Sequence, residues 1–438
     1  MPLLFHAFAW AGVLVFDLAR CAGRFNPADA TVLLCHLWPL FAAVMVRTFP
    51  KDPPDPGRQG MIGLVVWGAV LHLGLLTLAN LNAGVMLSGW ARWGEIASAW
   101  LLVIGLVLRR AEFIDSLAIA GASAALALIM SAANLMATGD ANLGFGNVSY
   151  LTNSCGPILL AWTIYELRPD VVAVGRFQRR LLILCGLAAL VLFVVVSHRR
   201  GVILAYGAGL VAWACVYAWE HRYRRLVLTT LCLGLATVAA LTTGLWMTHV
   251  PSGPFLRIAM LKAAVATALD GGWLGHGCNG MFQVQFAQNQ SARELTATGN
   301  WFNHAHNEPV EAWLDGGWAG LAFFVLLAGL MTWRFLGIAD PWQRRAMLAA
   351  WAATVVHACT DIVYGTVAGM ACLAVCVAVG LSAPVRPGPT FWRTLDRWTP
   401  RNLQVAVILL LFCVGLANVA TTALSAFLPL DATPTQRW

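Results

Sequence analysis

Residues 303–337 read NHAHNEPVEAWLDGGWAGLAFFVLLAGLMTWRFLG, a polar cluster that runs directly into a long apolar stretch. The part from 303 to 320 contains two histidines, three carboxylates and two asparagines. Charged residues make up only 11% of the 438-residue chain and hydrophobic residues 59%, against about 25% and 45–50% in soluble proteins. In so apolar a chain, a dense polar group at the edge of an apolar helix predicts a functional site.

Apolar runs of similar character recur along the whole chain and predict an all-α polytopic membrane protein. We expect 13 membrane-spanning helices, or 12 if either the first run or the 346–383 stretch is not a separate span. The predicted spans are 3–19, 30–46, 61–81, 94–108, 117–138, 150–166, 181–197, 201–219, 226–248, 317–337, 346–361, 366–383 and 403–428. The first run lacks a basic flank and a small-residue cleavage site, so we interpret it as a retained helix.

The net charge of +8 indicates topology rather than binding to nucleic acid, because the basic residues are unevenly distributed. Of the 28 Lys and Arg residues, 19 lie in the loops that follow even-numbered spans and nine on the opposite side. By the positive-inside rule the first set is cytoplasmic. It comprises Arg47, Lys51, Arg58, Arg109, Arg110, Arg168, Arg176, Arg179, Arg180, Arg222, Arg224, Arg225, Arg334, Arg344, Arg345, Arg386, Arg393, Arg397 and Arg401.

Three regions follow from this organisation. Residues 1–180 are predicted to be N-terminal transmembrane helices, 181–330 the region that carries the polar cluster, and 331–438 C-terminal transmembrane helices. The 181–330 region includes a loop at 249–308, which the charge alternation places on the non-cytoplasmic side. The eleven cysteines are scattered without CxxC spacing, so they predict neither a disulfide framework nor a metal site.

The large loop is expected to contain short helices. Residues 254–270 predict an amphipathic helix, with Pro254 in its first turn and Gly271-Gly272 ending it. The glycines of the Gly275–Gly280 segment predict a tight turn with accessible backbone amides. Residues 283–303 are rich in Gln, Asn, Ser and Thr and predict a mobile flap.

Basic residues on the predicted outer face form the first candidate site. Arg199 and Arg200 stand together where span 7 turns into span 8, and the positive-inside rule does not account for them there. They are either an interfacial pair that snorkels to the headgroups or a fork for phosphate oxygens. Arg257, in the first turn of the loop helix, either binds a lipid headgroup or completes a clamp on a pyrophosphate.

The second candidate site is the histidine pair His304 and His306. A histidine suits general-base chemistry at neutral pH. A zinc site with Glu308 is an alternative, although side chains at i and i+2 diverge on a helix and no HExxH is present. Solvated loop histidines are the other alternative. Asp361 and Tyr364, in the next outer turn, can border the same cavity.

Three motifs of this chain together resemble the motifs of a known family, in the same order along the sequence. His306-Asn307, nine residues, Gly317, two residues and Gly320 resemble the signature of bacterial O-antigen ligases and related protein-glycosylating oligosaccharyltransferases. The 197–201 stretch resembles the family's Ser-x-Ser-Arg-Gly, with Arg200 at the motif arginine and Arg199 replacing the second serine. Arg257 and the Gly-rich turn after its helix resemble the family's arginine–helix–Gly-x-Gly segment. The resemblance spans about residues 180–330.

The resemblance implies a multi-pass glycosyltransferase of the bacterial inner membrane with a periplasmic active site. Its donor would be a glycan on undecaprenyl diphosphate and its acceptor a hydroxyl of lipid A-core, in lipopolysaccharide biosynthesis. Such enzymes resemble inverting, metal-independent transferases, so no cofactor, metal or nucleic acid is expected, while membrane lipids surround the protein.

The resemblance also assigns roles to particular residues. His306 would be the catalytic base and His304 secondary. Arg200 and Arg257 would bind the diphosphate, with Arg199 as a substitute or helper. The supporting residues would be Asn307, Glu308, Glu311, Gly317 and Gly320, and of these Asn307 and Glu311 would orient the histidine ring.

Other functions remain open from the sequence. An O-antigen or exopolysaccharide polymerase would use another lipid-linked glycan as acceptor, and a protein O-oligosaccharyltransferase would use a protein. A polysaccharide or lipid transporter belongs to a different class and predicts charged residues in mid-span. Here the charged residues gather at one outer face, with Asp17 and His357 as the main exceptions.

The uneven distribution of basic residues predicts that the 249–308 loop is periplasmic. A single cysteine introduced at Gln290, in a cysteine-free background, should react with an impermeant thiol reagent in cells whose inner membrane is intact. A cysteine in the Arg222–Arg225 loop is the control and should react only after permeabilisation. If the position of Gln290 reacts only after permeabilisation, the assigned sidedness is wrong.

Overall fold

The computed structural model describes residues 56–84, parts of 92–107, 113–138, 148–169, 176–197, 200–221, 223, 229, 254–278, 305–361 and 367–386. Within this part of the chain the helices are α1 (Pro56–Ala83), α2 (Phe113–Thr138), α3 (Val148–Glu166), α4 (Arg176–Ser197), α5 (Arg200–Glu220), α6 (Pro254–Asp270), α7 (Glu308–Leu336), α8 (Pro341–Ala358) and α9 (Val367–Ser382). Further helical residues lie between 92 and 107. The predicted spans 3–19, 30–46, 226–248 and 403–428 and the 283–303 flap lie outside the described residues.

The all-α polytopic membrane class is confirmed. Four stretches within the described helices are long and apolar enough to cross a membrane: Val65–Ala83, Ala120–Ala137, Gly201–Glu220 and Glu308–Leu336. A helix suits a bilayer because it satisfies every backbone hydrogen bond within the segment. The described residues contain an isolated bridge between Ile338 and Val385 and no named strand. The total of 12 or 13 spans stays a prediction.

Small residues let the helices of the main core approach closely. Trp162 of α3 is 2% exposed, and a Cβ on Gly121 of α2 would lie only 2.6 Å from its ring. Along α5 and α8, a Cβ on Gly209 would lie 2.8 Å from the carbonyl oxygen of Ala349. Such contacts bring backbones together where lipid provides no hydrophobic drive for association.

The bundle has a basic end. Glu220, the last residue of α5, accepts hydrogen bonds from Arg344 Nε at 2.8 Å and Arg345 Nε at 2.6 Å, both at the start of α8. The Arg345 guanidinium also lies over the rings of Tyr217 and Trp342. These arginines belong to the set that the positive-inside rule makes cytoplasmic.

The other end brings different elements together. Gly201, at the start of α5, packs against the turn that follows α8, since a Cβ there would lie 3.2 Å from Thr360 Oγ1. Asn307, immediately before α7, donates from Nδ2 to the carbonyl oxygen of Cys359 at 2.8 Å. The starts of α5 and α7 therefore meet the end of α8 at the end opposite to the basic cluster.

Helix α7 is broken at Gly317, whose backbone has φ 62° and ψ −158°. The break removes the helical bonds that Trp318 and Ala319 would make to the carbonyls of Leu314 and Asp315. Both pairs of groups find partners in the turn after α6. Trp318 N and Ala319 N donate to the carbonyls of Gly272 and Trp273 at 3.2 and 3.3 Å, while His276 N and Gly277 N donate to those of Leu314 and Asp315 at 2.8 and 3.0 Å.

The break explains both motif glycines of α7. A Cβ on Gly317 would lie 2.4 Å from the carbonyl oxygen of Trp273, and its positive φ disfavours other residues. A Cβ on Gly320 would lie 2.2 Å from the carbonyl oxygen of Ala312, which the break brings alongside. Both glycines are therefore required because α7 is discontinuous at Gly317.

Gly317→Ala should destabilise the protein because the alanine would combine a positive φ with a backbone clash. The expected loss is more than about 2 kcal/mol of unfolding free energy. Gly329→Ala in the same helix is the matched control: nothing lies within 4 Å of a Cβ there, and alanine favours helix by up to about 1 kcal/mol. Thermal unfolding in detergent measures both, and an equal change in the two variants would contradict the break as a structural requirement.

Candidate active site

His306 lies in a constrained segment just before α7. Its φ of 49° lies in the left-handed region. Among the residues that the structure describes, no other non-glycine residue has a positive φ. Histidine is among the residues that adopt this conformation more readily, but it still costs about 1 kcal/mol or more. Such strain persists only where neighbouring contacts hold the backbone, and it is concentrated at functional sites.

Both neighbours of His306 are held by hydrogen bonds. Ala305 N donates to Glu311 Oε1 at 2.5 Å. Asn307 is the N-cap of α7: its Oδ1 accepts from Val310 N at 3.1 Å while its Nδ2 donates to the Cys359 carbonyl. Glu308 and Glu311 stand in the first turn, where the helix dipole favours negative charge. The backbone on either side of His306 is therefore fixed.

The imidazole of His306 is paired with a carboxylate from another helix end. Its Nδ1 lies 2.9 Å from Asp361 Oδ1, and the two side chains are 32% and 10% exposed. An ionised carboxylate only accepts hydrogen bonds, so Nδ1 carries a proton, and in the neutral imidazole Nε2 then keeps a lone pair. This is the arrangement of a histidine general base whose ring is oriented by a carboxylate.

Asp361 has a more direct contact with the candidate base than its sequence position suggests, because it is hydrogen-bonded to the His306 ring. It follows the apolar helix α8, in a turn where Asp361 N and Thr360 N both donate to the carbonyl of His357, at 2.9 and 2.8 Å. From the sequence, Asp361 is expected only to border the cavity. An acidic residue at the end of a span is the signal, but a partner 55 residues away cannot be identified from spacing. Tyr364 lies outside the described residues.

The side chains of Asn307 and Glu311 have partners other than those expected for ring orientation. The contacts described above tie Asn307 to the turn after α8 and Glu311 to the backbone of Ala305. In these contacts both side chains hold the backbone around His306, and Nδ1 of the ring is paired with Asp361.

In the described part of the glycine-rich turn after α6, the amides of residues 275–278 are all engaged in hydrogen bonds, so the expectation of accessible amides is wrong for these residues. Gly275 N donates to the Gly271 carbonyl at 3.0 Å, and His276 N and Gly277 N donate to α7. Cys278 N donates to Asn80 Oδ1 at 2.7 Å. The amides are consumed because the break in α7 exposes carbonyls that need donors. Gly280 lies outside the described residues.

Burial also suppresses the reactivity of this turn. The side chain of Cys278 is fully buried. Loss of hydration raises the pKa of its thiol well above the usual range, and the nearby Asp315 acts in the same direction. The thiol is therefore protonated at neutral pH and inert.

The predicted basic residues fall on elements that converge at His306. Arg200 is the first residue of α5, next to Gly201, which packs on the turn holding Asp361. Arg257 is in the first turn of α6, which packs through Met260, Ala263, Ala264 and Ala268 against a cluster that includes Ala305 and Leu314. Arg199 and His304 lie outside the described residues.

His357 is not a mid-span exception to the distribution of polar residues. It lies in the last turn of α8, 3% exposed, at the end of the bundle that holds His306. Within the described residues, no group of three His, Cys, Asp or Glu side chains is arranged to hold a metal ion.

Comparison with known proteins places these elements in a family context. A family model described as O-Antigen ligase matches residues 185–325. The match runs from α4 through the first half of α7 and beyond, and so covers Arg200, Arg257, His306 and the break at Gly317. No curated protein matches the chain at a significant level.

Proposed function

We propose that this chain, whose residues 185–325 match the O-antigen ligase family model, transfers a glycan from undecaprenyl diphosphate to a hydroxyl of lipid A-core. The reaction takes place at the periplasmic face of the bacterial inner membrane. The observation that carries the proposal is the pairing of His306 with Asp361 at the end of the bundle opposite to the basic cluster.

In the proposed reaction, Nε2 of His306 takes the proton of the acceptor hydroxyl. The oxygen attacks the anomeric carbon, and the bond from that carbon to the diphosphate breaks with inversion. Asp361 keeps the imidazole in the right tautomer and stabilises the imidazolium that forms. The chain's own groups account for the proton and for positioning, so no metal is required.

Arg200 and Arg257 are proposed to hold the lipid diphosphate. They stand at the starts of α5 and α6, two elements that pack against the segment and turn bearing His306 and Asp361. A guanidinium binds phosphate oxygens in a bidentate fork and neutralises the charge of the leaving group. The positive-inside rule gives no other reason for arginines on this side.

Loss of the His306–Asp361 pair should stop transfer without unfolding the protein. His306→Ala and Asp361→Asn should each lower the rate of glycan transfer by about 10²–10⁴-fold. The double variant should be no slower than His306→Ala, because both residues act as one unit. Purified protein with a lipid-diphosphate donor provides the measurement.

Asp340→Asn is the matched control for that pair. Asp340 caps the opposite end of α8, accepting from Gln343 N at 2.8 Å, so its loss affects stability but should leave the rate intact. Near-normal transfer by His306→Ala, together with loss in His304→Ala, would show that the motif has been placed in the wrong register. Loss of transfer on chelation would support the zinc alternative instead.

Lysine should not replace arginine at a true phosphate fork. Arg200→Lys and Arg257→Lys should each cost about 2–4 kcal/mol of transition-state stabilisation, and Arg199→Lys tests the neighbouring arginine separately. Arg179→Lys is the control, since its side chain is 38% exposed and pairs with Glu166 at the opposite end of the bundle. Near-wild-type rates for both Arg200→Lys and Arg257→Lys would refute the clamp.

Deletion of the gene distinguishes ligation from polymerisation. A ligase predicts lipid A-core without long chains, while intact polymer accumulates on the lipid carrier. Loss of the polymer itself would assign the chain to the polymerases. Unchanged lipopolysaccharide with an unglycosylated protein would assign it to the protein oligosaccharyltransferases.

A further inference from the structure

A cavity of about 610 Å³ adjoins the candidate active site. Helices α1, α7 and α9, Trp351 of α8 and the helical residues between 92 and 107 line it. Most of its wall is apolar, with large aromatic side chains from Trp67, Trp100, Phe323 and Phe324. The mechanism proposed above makes no use of this space.

The end of the cavity nearest His306 is polar. The first half of α7 contributes Glu308, Glu311 and Asp315 to the lining, and Arg92 is the basic residue there. Glu311 also accepts the hydrogen bond from Ala305, the neighbour of His306. The polar rim and the catalytic segment are therefore continuous. Further along α7, from Phe323 to Met331, the lining side chains are apolar.

His72 interrupts the apolar part of the wall. Its ring stacks on Phe323 with 4.6 Å between centroids, and its Nδ1 accepts from Trp100 Nε1 at 3.1 Å. Because Nδ1 accepts, the ring proton resides on Nε2, which makes His72 a hydrogen-bond donor in the cavity wall. Asn80 of α1 accepts from Cys278 N, and the neighbouring Gly277 N donates to the Asp315 carbonyl, so Asn80 lies at the level of the rim. His72 lies eight residues before Asn80, about 12 Å along α1, so this donor lies well below the rim.

The chemistry of the wall selects the kind of lipid that fits. A polar donor in an apolar membrane cavity needs an acceptor to offset its desolvation. A polyprenyl chain is a hydrocarbon and offers no acceptor at the depth of His72. Its diphosphate would also be repelled at the rim, where three carboxylates outnumber one arginine. Acyl chains carry ester or amide carbonyls and hydroxyls a short distance below the head. Carboxylates at the rim accept hydrogen bonds from sugar hydroxyls.

We propose that this cavity holds the acyl chains of a glycolipid acceptor. His72 Nε2–H donates to a carbonyl or hydroxyl of a chain, while Glu308, Glu311 and Asp315 receive the hydroxyl-bearing sugars next to His306. The donor diphosphate then lies on the other side of His306, where α5 meets α8. This inference rests on the proposed function for the identity of the acceptor, and His72 becomes a determinant of acceptor specificity.

Photo-crosslinking tests the occupant without requiring activity. A benzophenone amino acid replaces Leu327, which lines the cavity, in the full chain reconstituted with an acyl glycolipid and polyprenyl diphosphate. Val191 of α4, 60% exposed and not part of the lining, is the control position. We expect acyl-lipid adducts at Leu327 that added acyl glycolipid displaces and polyprenyl diphosphate does not. Polyprenyl adducts, or adducts no more displaceable than those at Val191, would overturn the proposal.

Kinetics test the role of His72. His72→Phe keeps a stacked ring and removes the donor, so KM for the acylated acceptor should rise about three- to tenfold, with little change in kcat or in KM for the donor. A deacylated acceptor should show no such difference. His221→Phe is the matched control, because His221 also stacks on an aromatic ring, that of Tyr217, at the opposite end of α5. An equal rise with the deacylated acceptor would overturn the role of His72.

The two measurements separate this inference from the proposed function. If wild-type protein transfers no glycan to either acceptor but acyl-lipid adducts form at Leu327, the proposed function fails and the acyl-lipid cavity stands. If transfer proceeds and polyprenyl adducts form there, the proposed function stands and the cavity assignment is wrong.

Discussion

The break in α7 at Gly317 is the constraint on which the rest of the site depends. In an apolar bundle, every backbone group freed by a break must be satisfied by protein. The turn at 272–277 does this reciprocally, accepting from Trp318 and Ala319 and donating to Leu314 and Asp315. This exchange attaches α6 to α7 and separates the polar first half of α7 from its long apolar second half.

A second consequence is that the candidate catalytic segment around His306 is held rigidly although it lies outside regular helix. The hydrogen bonds from Ala305 N to Glu311 and from Asn307 Nδ2 to the Cys359 carbonyl hold His306 at a positive φ. These contacts offset the cost of the positive φ at His306. Asn307 both caps α7 and bonds the turn after α8, and Glu311 of the first helical turn bonds Ala305. Pre-organisation of this kind lowers the reorganisation that accompanies proton transfer.

Much of this architecture is predictable from local pattern. The apolar runs predict membrane helices, and the ends of α3, α4 and α6 agree with expectation to within a few residues. The apolar span was expected to begin at 317, where α7 is broken, and the helix itself begins earlier, at Glu308. Hydropathy marks the apolar run and does not mark the polar helical turns before it. The glycine turn was misread for a related reason: a sequence shows available amides but not the broken helix that consumes them.

The sequence by itself determined the class of the protein, the family motifs and His306 as the candidate base, since composition and spacing carry that information locally. Tertiary structure alone decided that Asp361 pairs with His306, that Gly320 is required by a carbonyl eight residues earlier, and that His72 lines a cavity beside the site. Each of these depends on segments far apart in the chain or on a change of helix direction. Periodicity cannot encode such contacts, because packing between helices creates them.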